Sequence, residues 1–244
     1  MSRVLILAPS GFGKTTSLGQ IPELGIIGLD PADSYVLSVT SKPLPFRNSA
    51  TIYPAQTIPP GVKVLPNLAL HKRLITNDPE MIAKALEDLA LSPIKNVVLD
   101  DTNYLMQDYY MDNALKTGWD TPKKIGFDIN KVFKAMEKFE SNGKHLFVMA
   151  HGEAVTNLDG RIYYKMKTTG KMVDEYVTPE GKFDITLLGV SRYDTVAKKV
   201  VKEFITNENE QYSSAKSPVG MFESLTIPND LGLVVKTINE YYGI

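Results

Sequence analysis

The stretch Ala8-Pro9-Ser10-Gly11-Phe12-Gly13-Lys14-Thr15 constrains this chain more than any other. It follows a short apolar run, Val4–Leu7, that reads as a buried parallel strand, and it opens a helix expected from Lys14 to about Gln20. Small residues and glycines there let successive backbone N–H groups curve around a polyphosphate. The helix start adds the positive end of its dipole. The stretch matches the Walker A pattern, with Ala8 where its first glycine usually stands. Ser10, Gly11, Phe12, Gly13, Lys14, Thr15 and Thr16 are therefore the expected cradle for ATP. Lys14 would reach the β- and γ-phosphates, the Thr15 hydroxyl would coordinate Mg²⁺, and Thr16 would follow towards the α-phosphate.

A second apolar run, Val97-Val98-Leu99, ends in Asp100-Asp101 and has the form of a Walker B strand. In doubly wound sheets, ligands sit at the carboxyl ends of strands. That places Asp100 beside Thr15 as the magnesium residue. Asp101 is a candidate base or orienter for the attacking water, and equally a cap for the next helix. Asp30 and Asp33, beyond an expected second strand at Ile26–Leu29, compete for the base role. A fourth run, Leu146–Ala150, carries His151 out at its end. A neutral imidazole there could hydrogen-bond the γ-phosphate and report its loss to the following loop; it could equally be a satisfied core-edge histidine.

The remaining pattern predicts one α/β domain over residues 1–244, with a mostly parallel central sheet flanked by helices. Pro31–Asn77 is rich in prolines and reads as irregular with short strands. Pro79–Leu91 reads as an amphipathic helix capped by Asp78, burying Ile82, Leu86 and Leu89. Thr102 to about Lys116 and Asp128–Glu140 have helical spacing, with the breaker-rich Gly118–Gly126 between them. Ile162–Thr168, Met172–Val177, Ile185–Val190 and Val200–Thr206 alternate as antiparallel strands do, giving a hairpin extension over about 155–225. Pro228 is expected to start a closing helix to Tyr242.

Composition excludes several classes. A formal net charge of −1 supplies no global field for nucleic acid or acidic membrane, so polyanion contact needs a local patch. The absence of cysteine removes disulfides and thiolate chemistry and agrees with a reducing interior. No stretch approaches the roughly 18 apolar residues needed to span a bilayer. No Asn-Lys-x-Asp motif occurs and Asp100 is not followed by x-x-Gly, which argues against a GTPase.

Together the phosphate loop, the acidic strand end and the strand tipped by His151 resemble the RecA-like P-loop ATPases, in which these parts come in this order. Ser214–Phe222, Ile227–Leu231, Tyr241-Tyr242 and Met149–Glu153 look more closely like the phage-encoded AAA-type proteins of the single-strand-annealing (Sak) recombination group. The resemblance implies ATP hydrolysis coupled to single-stranded DNA in phage recombination or replication. It also implies a homo-oligomer, phage recombination or replication proteins as partners, and the host cytoplasm as location. In bacterial RecA a catalytic glutamate follows the second strand; Asp30-Pro31-Ala32 has alanine at that place.

The resemblance assigns the DNA-holding loops to Lys116–Lys124, with Trp119, Lys123 and Lys124, and to Gly152–Lys171. In the latter, Arg161, Lys165, Lys167 and Lys171 interleave with Tyr163 and Tyr164. An exposed hairpin with a solvated basic face and a core tryptophan fits the same residues. Arg192 and Lys216 are candidates for a positive side chain completing a neighbour's phosphate site, with Arg47, Arg73 and Lys198 behind them. Two other functions fit the same loop. One is a nucleotide-gated interaction module, such as a helicase loader with little turnover. The other is a small-molecule kinase, disfavoured because the five arginines are widely spread.

Overall fold

The computed structural model describes residues 2–58, 62–65, 67–113, 121–141, 143–168 and 179–244. Apolar runs become strands buried on both faces, and the sheet they form is mainly parallel. In chain order the strands are β1 (Arg3–Ala8), β2 (Ser34–Ser38), β3 (Ala55–Thr57), β4 (Arg73–Ile75), β5 (Asn96–Asp100), β6 (His145–Thr156), β7 (Ile162–Met166), β8 (Ile185–Asp194), β9 (Lys199–Ile205) and β10 (Thr226–Pro228). Their spatial order is β10-β9-β8-β1-β6-β5-β2-β4-β3, with β7 paired to β6. The strands from β8 to β3 along that path run parallel, while β8–β9, β9–β10 and β6–β7 are antiparallel. The phosphate-loop strand and the acidic strand are thus separated by one strand, the one that carries His151. This is a mixed α/β arrangement, a mostly parallel sheet flanked by helices with an antiparallel extension.

Successive residues of a strand face opposite sides. Leu5, Leu7, Val97, Leu99, Leu146 and Val148 point to one face. There they meet α2 (Pro79–Leu91), α3 (Thr102–Asn113) and α4 (Thr121–Ser141), through residues such as Ile82, Leu86, Leu105, Phe133 and Phe139. Val4, Ile6, Val98, Phe147 and Met149 point to the other face. That face is covered by Leu18, Leu29, Leu44 and Tyr53 from loops and by α5 (Leu231–Tyr242). The short helix α1 (Ser49–Ile52) lies in the same covering segment. Asp78 caps α2 as expected, accepting from the Glu80 amide at 2.9 Å.

Several expectations are corrected. Ile26–Leu29 is not the second strand. Gly25 and Gly28 take positive φ, and a Cβ on Gly28 would lie 2.3 Å from the Gly19 carbonyl oxygen. The Ile27 and Gly28 amides bind the Asp230 carboxylate instead of a ladder. The second strand is Ser34–Ser38, inside the stretch read as irregular with short strands, which also holds β3 and β4; proline density around it masked a fully buried run. The helix from Lys14 is a single 3₁₀ turn, Thr15–Leu18, ended by Gly19 in extended conformation. A Cβ on Gly19 would strike the Phe46 ring at 2.5 Å, so that position belongs to a close approach rather than to a helix. The helix expected at Asp128 starts at Thr121 and runs through Gly126. β8 is antiparallel to β9 but pairs in parallel with β1 over Ile185–Leu188. Pro228 ends β10, and the last helix starts at Leu231 behind the Asp230 cap. The expected Met172–Val177 strand lies outside the described residues. Among the described residues, no helix is long and apolar enough to cross a membrane.

Candidate nucleotide-binding site

Gly11 and Gly13 adopt φ of +78° and +95°, which bends the loop between β1 and the 3₁₀ turn back on itself. Among the described residues, no acceptor takes the amide hydrogens of Gly11, Gly13 or Lys14. The Phe12 amide is turned to the Pro9 carbonyl at 3.4 Å, and its ring is buried against Phe204, 5.9 Å between centroids. Phe12 therefore anchors the loop to the core rather than lining the cavity. Ser10, Gly11, Gly13, Lys14, Thr15 and Thr16 do line it.

The cavity holds about 360 Å³ and is completed by Thr40, Lys42, Pro43, Leu44, Pro45, Arg73, Asp100, Asp101, Tyr104, His151 and Lys202. Lys14 is buried, its ammonium resting on the Ala8 and Pro9 carbonyls at 3.1 and 3.3 Å. Burial pulls its pKa down while Asp100 and Asp101 pull it up. The Thr15 hydroxyl lies 3.1 and 3.0 Å from the two Asp100 oxygens, across 85 positions of sequence. Burial, with Asp101 beside it, pushes the Asp100 carboxyl up to about 6, against the opposing pull of Thr15, Lys14 and Arg73. A buried carboxylate held against a threonine hydroxyl is an oxygen-donor pair suited to a hard divalent cation, which would restore its charged form. Four cations, Lys14, Lys42, Arg73 and Lys202, face two carboxylates around the cavity, so it favours a polyanion. The residues therefore fit Mg²⁺ and a nucleotide phosphate chain.

Asp101 takes φ +61°, a strained conformation for a non-glycine residue. Its carbonyl accepts from the Tyr104 amide at 2.9 Å, and its carboxylate accepts from the Thr40 hydroxyl at 2.8 Å. Lys42 stands 4.0 Å from the same oxygen and lies over the Tyr104 ring. Arg73 fixes this wall from below, donating to the Ser38 hydroxyl at 2.8 Å and to the Thr40 and Lys42 carbonyls at 3.3 and 2.7 Å. His151 sits edge-on to Tyr104 at 5.7 Å, and its backbone amide donates to the Asn103 side chain. Burial, with Lys14 next in size, lowers the His151 pKa and keeps the ring neutral at neutral pH.

Asp30 and Asp33 line a different cavity, beside Lys95 and Asn96. Asp33 precedes β2, and its carbonyl binds the amides at the start of β5, whereas Asp100 ends that strand. Four residues of strand span about 13 Å. The Asp33 carboxylate is paired with Lys95 at 2.7 Å on that far edge. Since β2 ends at Ser38, Thr40 rather than Ala32 occupies the stretch following the second strand.

The expected DNA and neighbour residues divide differently. Lys123 and Lys124 lie within α4, while Lys116, Trp119 and Lys171 are outside the described residues. Arg161 is paired with Asp159 at 2.7 Å and Glu208 at 3.3 Å, so its charge is matched on the protein surface. Tyr164 packs on Tyr212. Arg192 is clamped by Glu203 at 2.6 and 3.0 Å, and Lys216 donates to the Glu180 carbonyl at 3.1 Å. Arg47 pairs with Glu23 at 3.9 Å, and Lys198 sits at φ +50° in the β8–β9 turn. Arg73 belongs to this chain's own cavity. Thr40, Lys42, Asn103 and Lys202 went unnoticed in the sequence, because no motif marks them.

No family model matches the sequence, and no curated protein matches it. Among solved structures the chain is similar to a KaiC-like protein from the hyperthermophilic archaeon Pyrococcus horikoshii. Sequence identity is 11% and the TM-score 0.40, over 84% of this chain and 77% of that chain.

Proposed function

We propose that this protein is a magnesium-dependent ATPase that acts on single-stranded DNA as a homo-oligomer, in the manner of the phage Sak group it resembles. The observation that carries the ATPase reading is the Thr15–Asp100 contact beside Lys14 and beside the Gly11, Gly13 and Lys14 amides, which have no acceptor among the described residues. Bound magnesium would neutralise charge on the phosphates at the Thr15 and Asp100 oxygens. The loop amides and Lys14 hold the phosphate chain, and Thr16 flanks it. Asp101, locked by Thr40 and with Oδ1 free of partners among the described residues, orients the attacking water. His151, neutral, donates a ring N–H to the terminal phosphate.

The DNA reading is supported by the course of β6. It runs without a break from the cavity edge at His151 into the arm paired with β7, the strand that carries Lys165. A second reading, a nucleotide-gated module with little turnover, is favoured by Thr40 standing where a carboxylate could have followed β2. The deciding experiment measures nucleotide binding and phosphate release separately, at low salt, with and without single-stranded DNA. Hydrolysis accelerated by DNA and abolished in Lys14→Ala is expected. Tight binding without turnover would favour the second reading, and a lack of DNA binding would remove the DNA assignment.

A further inference from the structure

β9 is separated from β1 only by β8, and its residues alternate between the two faces of the sheet. Phe204 and Lys202, two positions apart, share one face, and both meet the phosphate loop. Phe204 packs under the loop against Phe12. Lys202 reaches over it, its ammonium donating to the Gly11 carbonyl at 3.1 Å. A Cβ on Gly13 would lie 3.2 Å from the same nitrogen, so the missing side chain makes room for this lysine as well as for the turn.

The backbone holds Lys202 in register. Its carbonyl accepts from the Asn229 amide at 3.2 Å, and the Asn229 side chain donates to the Gly13 carbonyl at 3.0 Å. Two adjacent segments of the antiparallel extension therefore grip two carbonyls of one loop. The charges nearby are otherwise matched. Glu203 takes Arg192, and Arg192 also lies 3.7 Å from Asp194. Among the described residues, Lys202 has no carboxylate within ion-pair distance. An exposed ammonium on a four-carbon stem that lines the cavity and rests only on a neutral carbonyl has a stronger acceptor to gain when an anion enters.

Resting on the ATPase reading above, we infer that Lys202 is a phosphate-binding residue of the site, supplied in cis, which leaves the Gly11 carbonyl to contact the terminal phosphate of a bound triphosphate. Occupancy is thereby reported to β9 and, through Asn229, to the segment leading into α5. A cation of this kind works without a neighbouring subunit, in contrast to the trans roles first considered for Arg192 and Lys216.

The test compares equilibrium binding of Mg-ATP and Mg-ADP to the full chain, its Lys202→Gln and Lys202→Arg variants, and Lys14→Ala. Lys202→Gln should lose about tenfold in ATP affinity, as expected for one charge-assisted hydrogen bond, and less than about twofold for ADP. Lys202→Arg should recover most of the loss, and the melting temperature should stay put because the side chain is exposed. An unchanged ATP affinity, or equal losses for ATP and ADP, overturns the assignment. If wild type binds Mg-nucleotide and Lys14→Ala does not, such a result removes Lys202 alone. If wild type binds neither nucleotide, the ATPase reading falls with it.

Discussion

The two faces of the sheet are sealed by different means. One is covered by three helices, α2, α3 and α4, whose side chains fill the space over Leu5, Leu99 and Val148. The other is covered by a 3₁₀ turn, two loop segments and α5, and depends on close backbone contacts: Gly28 against Gly19, Gly232 against Gly28, and four amides converging on Asp230. Side-chain volume holds the first face and backbone geometry the second. The difference teaches that a parallel sheet of this kind can be closed on one side with little regular structure, provided glycine and a shared carboxylate let the chain approach itself.

Substitutions can break or sharpen this contrast. Phe139→Ala on the helical face should cost about 3–5 kcal/mol in chemical denaturation, because a fully buried aromatic leaves a cavity. A loss below about 1 kcal/mol would show that α4 can collapse onto the sheet. On the looped face no volume need be removed. Gly28→Ala should cost about 2–4 kcal/mol, since the residue has φ +66° and the new methyl would meet a carbonyl oxygen at 2.3 Å. A neutral result there would contradict the backbone account.

The two aspartate caps give a finer comparison. Asp230 accepts from Gly232 and Leu233 at the start of α5 and from Ile27 and Gly28 across the chain. Asp78 accepts from one amide at the start of α2, with an exposed lysine nearby. Asp230→Ala is predicted to lose about 2–3 kcal/mol and Asp78→Ala about 1 kcal/mol. Equal losses would erase the distinction between the faces.

The smallest effect concerns acid. His145 sits on the looped side, buried, with Nε2 bonded to Asn239 of α5 at 2.9 Å and Nδ1 without a partner among the described residues. Burial lowers its pKa below the unfolded value. The unfolded chain therefore takes the proton first, and stability present above the ordinary histidine range is lost as pH falls through it. A melting series in His145→Gln should show a shallower decline below about pH 6.5 than wild type; parallel curves would exclude His145 as a source of the acid limb.

Motif and periodicity made the helical face and the chemistry of the loop legible. Ile82, Leu86 and Leu89 repeat at helical spacing, and Val97–Asp100 is an apolar run with an acidic end, so α2 and β5 could be placed within a residue or so. Lys14, Thr15 and Asp100 could be paired before any geometry was known, because phosphate chemistry demands those types in that order. The looped face resisted. Ser34–Ser38 has two serines and lies among prolines, so its burial carries no periodic signal. Ile26–Leu29 looks like a strand by composition, yet its amides serve Asp230, some 200 residues away in sequence. Placing the second strand too early also put Asp30 and Asp33 at the wrong edge of the sheet. Lys202 and Thr40 reach the site by strand register, which no single segment encodes.

The one-turn 3₁₀ segment behind the phosphate loop carries a last consequence. With so little helix beneath it, the loop takes its support from Phe204, Lys202 and Asn229, all from the final fifth of the sequence. A chain cut after Ser191 would retain the phosphate loop, the acidic strand end and His151 and still lack the floor and one wall of its phosphate cradle, so the presence of those three motifs alone misstates how short a working version of this protein can be.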